Sequence, residues 1–471
     1  MIQKLFSIFA FVVLITSGVQ AAPAPDSTVL EVFMTGIGAG KVKLVGVFGD
    51  QNYLADSAVV DANGHFVIRR KSPLLAGYYY FLMQSGKNFS VLLDHNEQFV
   101  TIRTDVKDFV GTMDVKGSLN TELLYKNFRF QSGQDAELQQ LAGVLRNSDA
   151  NSPEFRNAKA RQDVLLADRK KHLDETYATY PNSFFTKFKI AGQNPELVDF
   201  RKPNGNLDTV RQVVYYREHF WDGFDFNDER LLYTPVVGNK LRRYIKELTP
   251  QQPDSIIKVA DAIIRRVMPH KSYFKFFSNW IALQYENTKT TVMDGEAAYV
   301  HIVKNFFTPE LATWDKPENI EKLRKHVGEM EASLMGRKGP DVVAKDQFGQ
   351  SKSIYEKTAP IIVVFMFSPD CEHCQKDADQ IQHIYDKWKD RGVDFYGIAV
   401  NTTDKEWKDF LVQHKFTFTN VFDPTNRAIY AKYYVDITPE LYILNKDRII
   451  VGKNLHANQL EEVFERQLKK L

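Results

Sequence analysis

Residues 361–381 read IIVVFMFSPDCEHCQKDADQI. Seven consecutive apolar residues followed by a polar turn predict a central strand buried on both faces of a sheet. Beyond the turn, Ala378, Ile381, Ile384, Tyr385 and Trp388 share one side of a helix predicted over about 371–390. Cys371 and Cys374 lie where the strand gives way to that helix, and they are the only two cysteines among 471 residues.

Working outward, the segment from 339 onward alternates strands and helices. GPDVVAKDQFGQ opens it as an extended piece with a turn. DFYGIAV (394–400) is the next strand, KEWKDFLVQH (405–414) a helix, FTNVFD a short strand and NRAIYAKYY a short helix. ELYILNKDRIIVGKNL forms a hairpin turning at Asn445-Lys446-Asp447, and ANQLEEVFERQLKK is a closing amphipathic helix. This order predicts an α/β domain with a mixed sheet.

Upstream the pattern changes twice. Over 28–116, short β-branched and aromatic runs such as KVKLVGVFGD, YYYFLM and EQFVTIRT are separated by turn signals such as Asp61-Ala62-Asn63-Gly64. They predict a small antiparallel sandwich or barrel. Over 120–337, apolar residues recur at helical spacing and prolines punctuate the series. The aromatic stretch HFWDGFDFNDERLLYTPVVGNKLRRYI (219–245) reads as core. His270, His301 and His326 have no partner at i+3 or i+4 that would make a metal face. The predicted layout is a signal peptide over 1–21, a β-sandwich-like domain over 22–118, a mainly α-helical domain over 119–337 and an α/β domain over 338–471.

The first 21 residues carry Lys4, an apolar run to about Ile15 and small residues at Val19-Gln20-Ala21, the pattern of a cleaved export signal. No cysteine follows the run, so bacterial-type lipidation is not expected. No later segment reaches the roughly 18 apolar residues of a spanning helix, so no membrane span remains after cleavage. An uncleaved anchor is the alternative. Lysines and arginines (61) balance aspartates and glutamates (59), which gives no electrostatic reason to bind nucleic acid. Two cysteines in an exported chain do not make a disulfide scaffold, so the pair must be explained by its chemistry.

At a helix N-terminus, unpaired backbone N–H groups and the helix dipole favour an anion. Such placement lowers a cysteine pKa from about 8.5 into a range of about 3.5–7.5. Cys371 is then the attacking thiolate and Cys374, one turn on, the resolving thiol of a disulfide-exchange cycle. Zinc is disfavoured because a structural site needs four ligands and no second Cys or His pair exists. No metal and no cofactor beyond the redox-active disulfide are expected.

The segment 339–471 resembles a thioredoxin-fold domain of the exported TlpA/ResA reductase type. The match rests on Cys371-Glu372-His373-Cys374 after IIVVFMF, on Ile437-Thr438-Pro439 before the hairpin, and on Gly339-Pro340-Asp341 at the entry. That resemblance implies a cis Pro439, with Thr438 and Pro439 shaping the substrate groove. The partners it implies are cysteine-containing envelope proteins and a membrane electron donor of the DsbD kind. FWDGFDFNDERLLYTPVV carries a second resemblance, to multidomain thioredoxin-like proteins of Gram-negative envelopes. The resulting expectation is a periplasmic thiol–disulfide oxidoreductase working in the reductase or isomerase direction.

Departures from the family pattern matter. Asp370 stands where thioredoxins carry an aromatic residue, and Phe365 where thioredoxin has a buried acid. The second step therefore needs another base, with Glu372 a candidate. His373 as a cation would favour the thiolate, while Glu372 and Asp370 would oppose it. Peroxidase chemistry is a lesser alternative, since Val364 replaces the proline of the peroxiredoxin loop and Ser368 alone fits. An envelope binding or assembly module with a vestigial redox domain is the other.

Overall fold

The computed structural model describes residues 26–286, 289–434 and 437–470. The expected export signal lies outside them. Contacts divide the chain into two units. One holds the described residues up to Ile190 with Tyr233–Pro235, and the other holds Ala191–Leu232 and everything from Val236 onward.

The first unit contains two four-stranded sheets. Strands β1 (Thr28–Thr35), β2 (Gly40–Phe48), β3 (Gln51–Val60), β4 (His65–Arg70), β5 (Gly77–Met83), β6 (Asn88–Leu93), β7 (Phe99–Asp105) and β8 (Asp114–Lys116) are ordered β4-β1-β7-β8 and β3-β2-β5-β6. Val32, Phe66 and Ile102 of one sheet share a core with Leu44, Phe81 and Val91 of the other, so this is a sandwich. The predicted turn at 61–64 carries the chain from one sheet to the other. Asp61 accepts from the backbone of Asn63 and His65 at 2.8 and 2.9 Å. Gly64 takes φ +76°, and a Cβ there would sit 2.1 Å from the Met34 carbonyl, so only glycine fits. The antiparallel expectation fails at one place: β1 and β7 pair in parallel. Alternation says which face a residue takes but not which strand lies beside it.

The helical stretch read as one domain over 119–337 is shared between the units. Its first part is fastened to the sandwich. Glu97, buried before β7, accepts from Ser118 Oγ at 2.9 Å and from the Asn120 side chain at 2.9 Å, where the helix Leu119–Asn147 begins. Asn120 in turn accepts from the Phe185 backbone at 2.8 Å, which ties down the helix Phe184–Ala191. Between them, Leu119–Asn147 and Pro153–Thr179 pair as a long hairpin joined by Arg161–Glu137 and Arg169–Asp135 contacts of 2.6 and 2.7 Å.

In the second unit the remaining helices include Pro253–Val267, Lys271–Gln284, Glu296–Phe306 and Pro317–Met330. Prolines open the first and last of these, where the missing N–H costs nothing. The 219–245 stretch packs as core here, with Phe220, Trp221, Phe224 and Phe226 buried.

The rest is a seven-stranded mixed sheet built from β9 (Val343–Asp346), β10 (Ser351–Ser353), β11 (Ile361–Phe367), β12 (Val393–Ala399), β13 (Thr419–Phe422), β14 (Glu440–Leu444) and β15 (Ile450–Gly452). Its order is β10-β9-β13-β12-β11-β14-β15, with β11, β12 and β13 mutually parallel. All seven residues of β11 are buried, as the apolar run predicted. Its odd-numbered residues face the helix Glu372–Trp388, and its even-numbered ones pack with Tyr442, Ile429 and Tyr433 on the other side. The connector also joins the sheet. Gly336 N donates to Ile450 O, Ile450 N to Arg337 O and Gly339 N to Arg448 O at 2.7–2.9 Å, which lays 336–339 along β15.

Among the described residues, no helix is long and apolar enough to cross a membrane, and no cluster of histidine, cysteine or acidic side chains could hold a metal ion.

Candidate functional site

The site forms at the end of β11. Ser368-Pro369-Asp370 turns the chain, with Cys371 N donating to Ser368 O at 3.1 Å and Gln375 Nε2 to Pro369 O at 2.8 Å. Cys371 is the N-cap of the helix Glu372–Trp388, and its sulfur accepts from Cys374 N at 3.4 Å. A sulfur held by a first-turn N–H is placed where negative charge is favoured. The Cys371 thiol also donates to the Thr438 carbonyl at 3.1 Å. The Thr438–Pro439 peptide is cis, as the resemblance implied. Ile437, just before it, is exposed.

Both cysteines are free thiols. They differ in access, since Cys371 is half-buried and Cys374 is fully buried on the face of Phe365, Phe367 and Ala378. Burial, with the neighbouring Cys371 thiol adding to it, pushes the Cys374 thiol far above its ordinary range. A visitor therefore meets Cys371 first, and Cys374 needs a proton acceptor before it can act.

The remaining predicted residues are placed as follows. Glu372 leans along the helix to Lys376 at 2.6 Å, so its carboxylate is engaged away from the thiols. His373 and Asp370 are exposed. Phe365 stacks on Phe367 with ring centroids 5.0 Å apart. The Ser368 hydroxyl donates to Asn401 O at 3.4 Å.

Two neighbourhoods escaped the sequence reading. Asn401, at φ +51°, donates from its backbone to Asn426 Oδ1 at 2.8 Å, and its side chain is 3.5 Å from the Tyr430 hydroxyl. Tyr430, in the helical turn Ala428–Tyr433, and Ile437, next to Thr438, are exposed. The second is a buried charge cluster behind the cis peptide. Glu440 follows Pro439 and accepts from Asn454 N at 3.2 Å. Lys453 forms an ion pair with Glu296 and is 0% exposed, and its charge lowers the Asp294 carboxyl against the effect of burial. A glutamate directly after Thr-Pro was the signal for it. Glu440 pairs with Met366 and shares the Tyr442 face, opposite Cys374, so it is not the missing base for that thiol.

Burial raises the Glu440 carboxyl to about 7, with Glu296 adding and Lys453 opposing. Burial raises Asp294 to about 6, again opposed by Lys453. Unfolded, such groups titrate near about 4. Between these limits the unfolded chain sheds protons that the folded one keeps, so this stability contribution is full below about pH 4 and falls as pH rises toward neutrality. Glu440→Gln should therefore lessen the loss of stability between pH 5 and 7.5, measured by denaturant unfolding at both. An unchanged slope would refute the assignment.

A helix-capping Cys-x-x-Cys after a central strand, beside a cis proline that precedes the neighbouring strand of a mixed sheet, defines a thioredoxin-fold thiol–disulfide oxidoreductase. The comparisons agree with that class: residues 335–453 match the AhpC/TSA family, and thiol-disulfide oxidoreductase ResA of Bacillus anthracis is 24% identical over 141 residues, 30% of this chain and 80% of that protein. Residues 29–124 match the domain of unknown function DUF4369 and 196–329 the domain of unknown function DUF5106. A thioredoxin-like protein from Bacteroides caccae is similar over 58% of this chain and 99% of its own, at 16% identity and TM-score 0.47. The thioredoxin domain of a thiol-disulfide oxidoreductase from Bacteroides vulgatus is similar over 29% and 98%, at 20% identity and TM-score 0.27.

Proposed function

We propose that the protein is a periplasmic thiol–disulfide oxidoreductase that reduces or isomerises disulfides in envelope proteins through Cys371 and Cys374. The observation that carries this reading is the Cys371 sulfur held at a helix N-terminus, 3.1 Å from the carbonyl of Thr438 beside the cis proline. The Cys371 thiolate attacks a substrate disulfide. One sulfur–sulfur bond breaks, a mixed disulfide forms and one substrate thiolate leaves. Cys374 then gives up its proton to water and attacks the Cys371 sulfur, which releases the second substrate thiolate. Two electrons pass to the substrate, and the new Cys371–Cys374 disulfide is reduced again by a donor of the DsbD kind.

Thr438 and Pro439 hold the substrate backbone, and Ile437 and Tyr430 give the groove apolar walls. Glu372 and His373 modulate the charge at its mouth. The export pattern of the first 21 residues supports the location. With Cys374→Ser the cycle should stop at its first intermediate. Nonreducing electrophoresis of cells expressing that variant should then reveal partners bound through Cys371 and released by dithiothreitol. Absence of any such adduct under oxidising growth would turn the reading toward a binding or assembly module.

A further inference from the structure

Charged groups cluster behind the redox loop, and the redox chemistry makes no use of them. Lys453 is fully buried, Glu296 is 2% exposed, Glu440 3% and Asp294 4%. Lys453 pairs with Glu296 and lies over the Tyr442 ring at 5.4 Å. Glu296 Oε1 also accepts from Asn454 Nδ2 at 3.4 Å, and the Asn454 backbone donates to Glu440 Oε1 at 3.2 Å. Glu440 is bonded through Pro439 to Thr438, whose carbonyl receives the Cys371 thiol at 3.1 Å. The path runs without a gap from the first residue of the helix Glu296–Phe306 to the sulfur.

Cohesion alone does not account for it. Apolar residues of similar volume usually hold such an interface as well as a buried ion pair, without the desolvation cost. Three acids around one lysine are a still poorer adhesive. What a buried, directional set of partners supplies is a fixed position.

We propose that Glu296 is a positioning residue of the redox site: through Lys453 and Asn454 it fixes Glu440 and thereby holds the Thr438–Pro439 loop against Cys371. The 191–334 helices are then part of the oxidoreductase, since one of them supplies an anchor of its substrate loop. This rests on the reading of Cys371 as the exchanging thiol, and the test separates the two.

In a Cys374→Ser background, iodoacetamide alkylation reads Cys371 alone. Glu296→Gln, and the double variant Glu296→Ala with Lys453→Met that removes both members of the ion pair, should each alkylate about fivefold faster, as expected for losing one hydrogen bond of ordinary strength. With both cysteines present, KM for insulin should rise by about the same factor while kcat changes less than about twofold. Asp261→Asn, which alters an acid of the same helical segment paired with His301 at 2.8 Å, should change neither. A folded double variant with wild-type alkylation and KM would overturn the inference. Wild-type protein without Cys371-dependent insulin reduction would instead overturn the oxidoreductase reading, and the alkylation comparison would still stand.

Discussion

Cys371→Ser should reduce dithiothreitol-driven insulin reduction to background, a loss of roughly a thousandfold or more, because a serine hydroxyl is scarcely ionised at neutral pH and cannot form the mixed disulfide. The fold should survive. Cys371 is half-buried and caps its helix with one long contact to Cys374 N, which serine, a preferred capping residue, can make as well. Unfolding measured beside turnover separates the two effects. Equal turnover in wild type and variant would defeat the assignment of the nucleophile outright. Cys374→Ser differs in kind, for it should also stop turnover yet still form the covalent adduct, since Cys371 remains half-exposed at the groove while Cys374 is buried beneath it. The order of the two thiols in the cycle is thus readable from which variant traps partners.

Lys453→Met should destabilise the second unit by about 3–5 kcal/mol, the usual cost of removing one partner from a buried ion pair. The side chain is 0% exposed, and its loss leaves Glu296, Glu440 and Asp294 with no cation among them. Denaturant unfolding gives the magnitude. Adding Glu296→Ala should recover much of the loss, because the best-paired anion goes with its partner. A Lys453→Met protein as stable as wild type would show that the cluster carries no net charge imbalance. A double variant no better than the single one would place the cost in packing around Tyr442 instead.

What the sequence revealed and what it hid follow from range. IIVVFMF reads as a central strand because double-sided burial leaves no polar position to confuse the pattern. The capping geometry of Cys371 follows from four residues of turn and the first turn of helix, all local. Thr438 and Pro439 were legible through family resemblance, not through periodicity. Lys453 was not legible at all. In IIVGKNL it looks like a solvated lysine at a hairpin end, and its burial depends on Glu296, 157 residues away. The β1–β7 pairing was hidden for the same reason, since strand partners are set by the whole sandwich. The division of the helices was written in Ser118, Asn120 and Glu97, polar residues whose burial only the assembled sandwich creates.

The connector 336–339 has one more consequence. By lying along β15 it occupies backbone groups that would otherwise form a bare sheet margin, the surface on which strands from other molecules nucleate aggregates. The guard against self-association on that side therefore resides not in the sheet's own edge strand but in the four residues that lead into the redox domain.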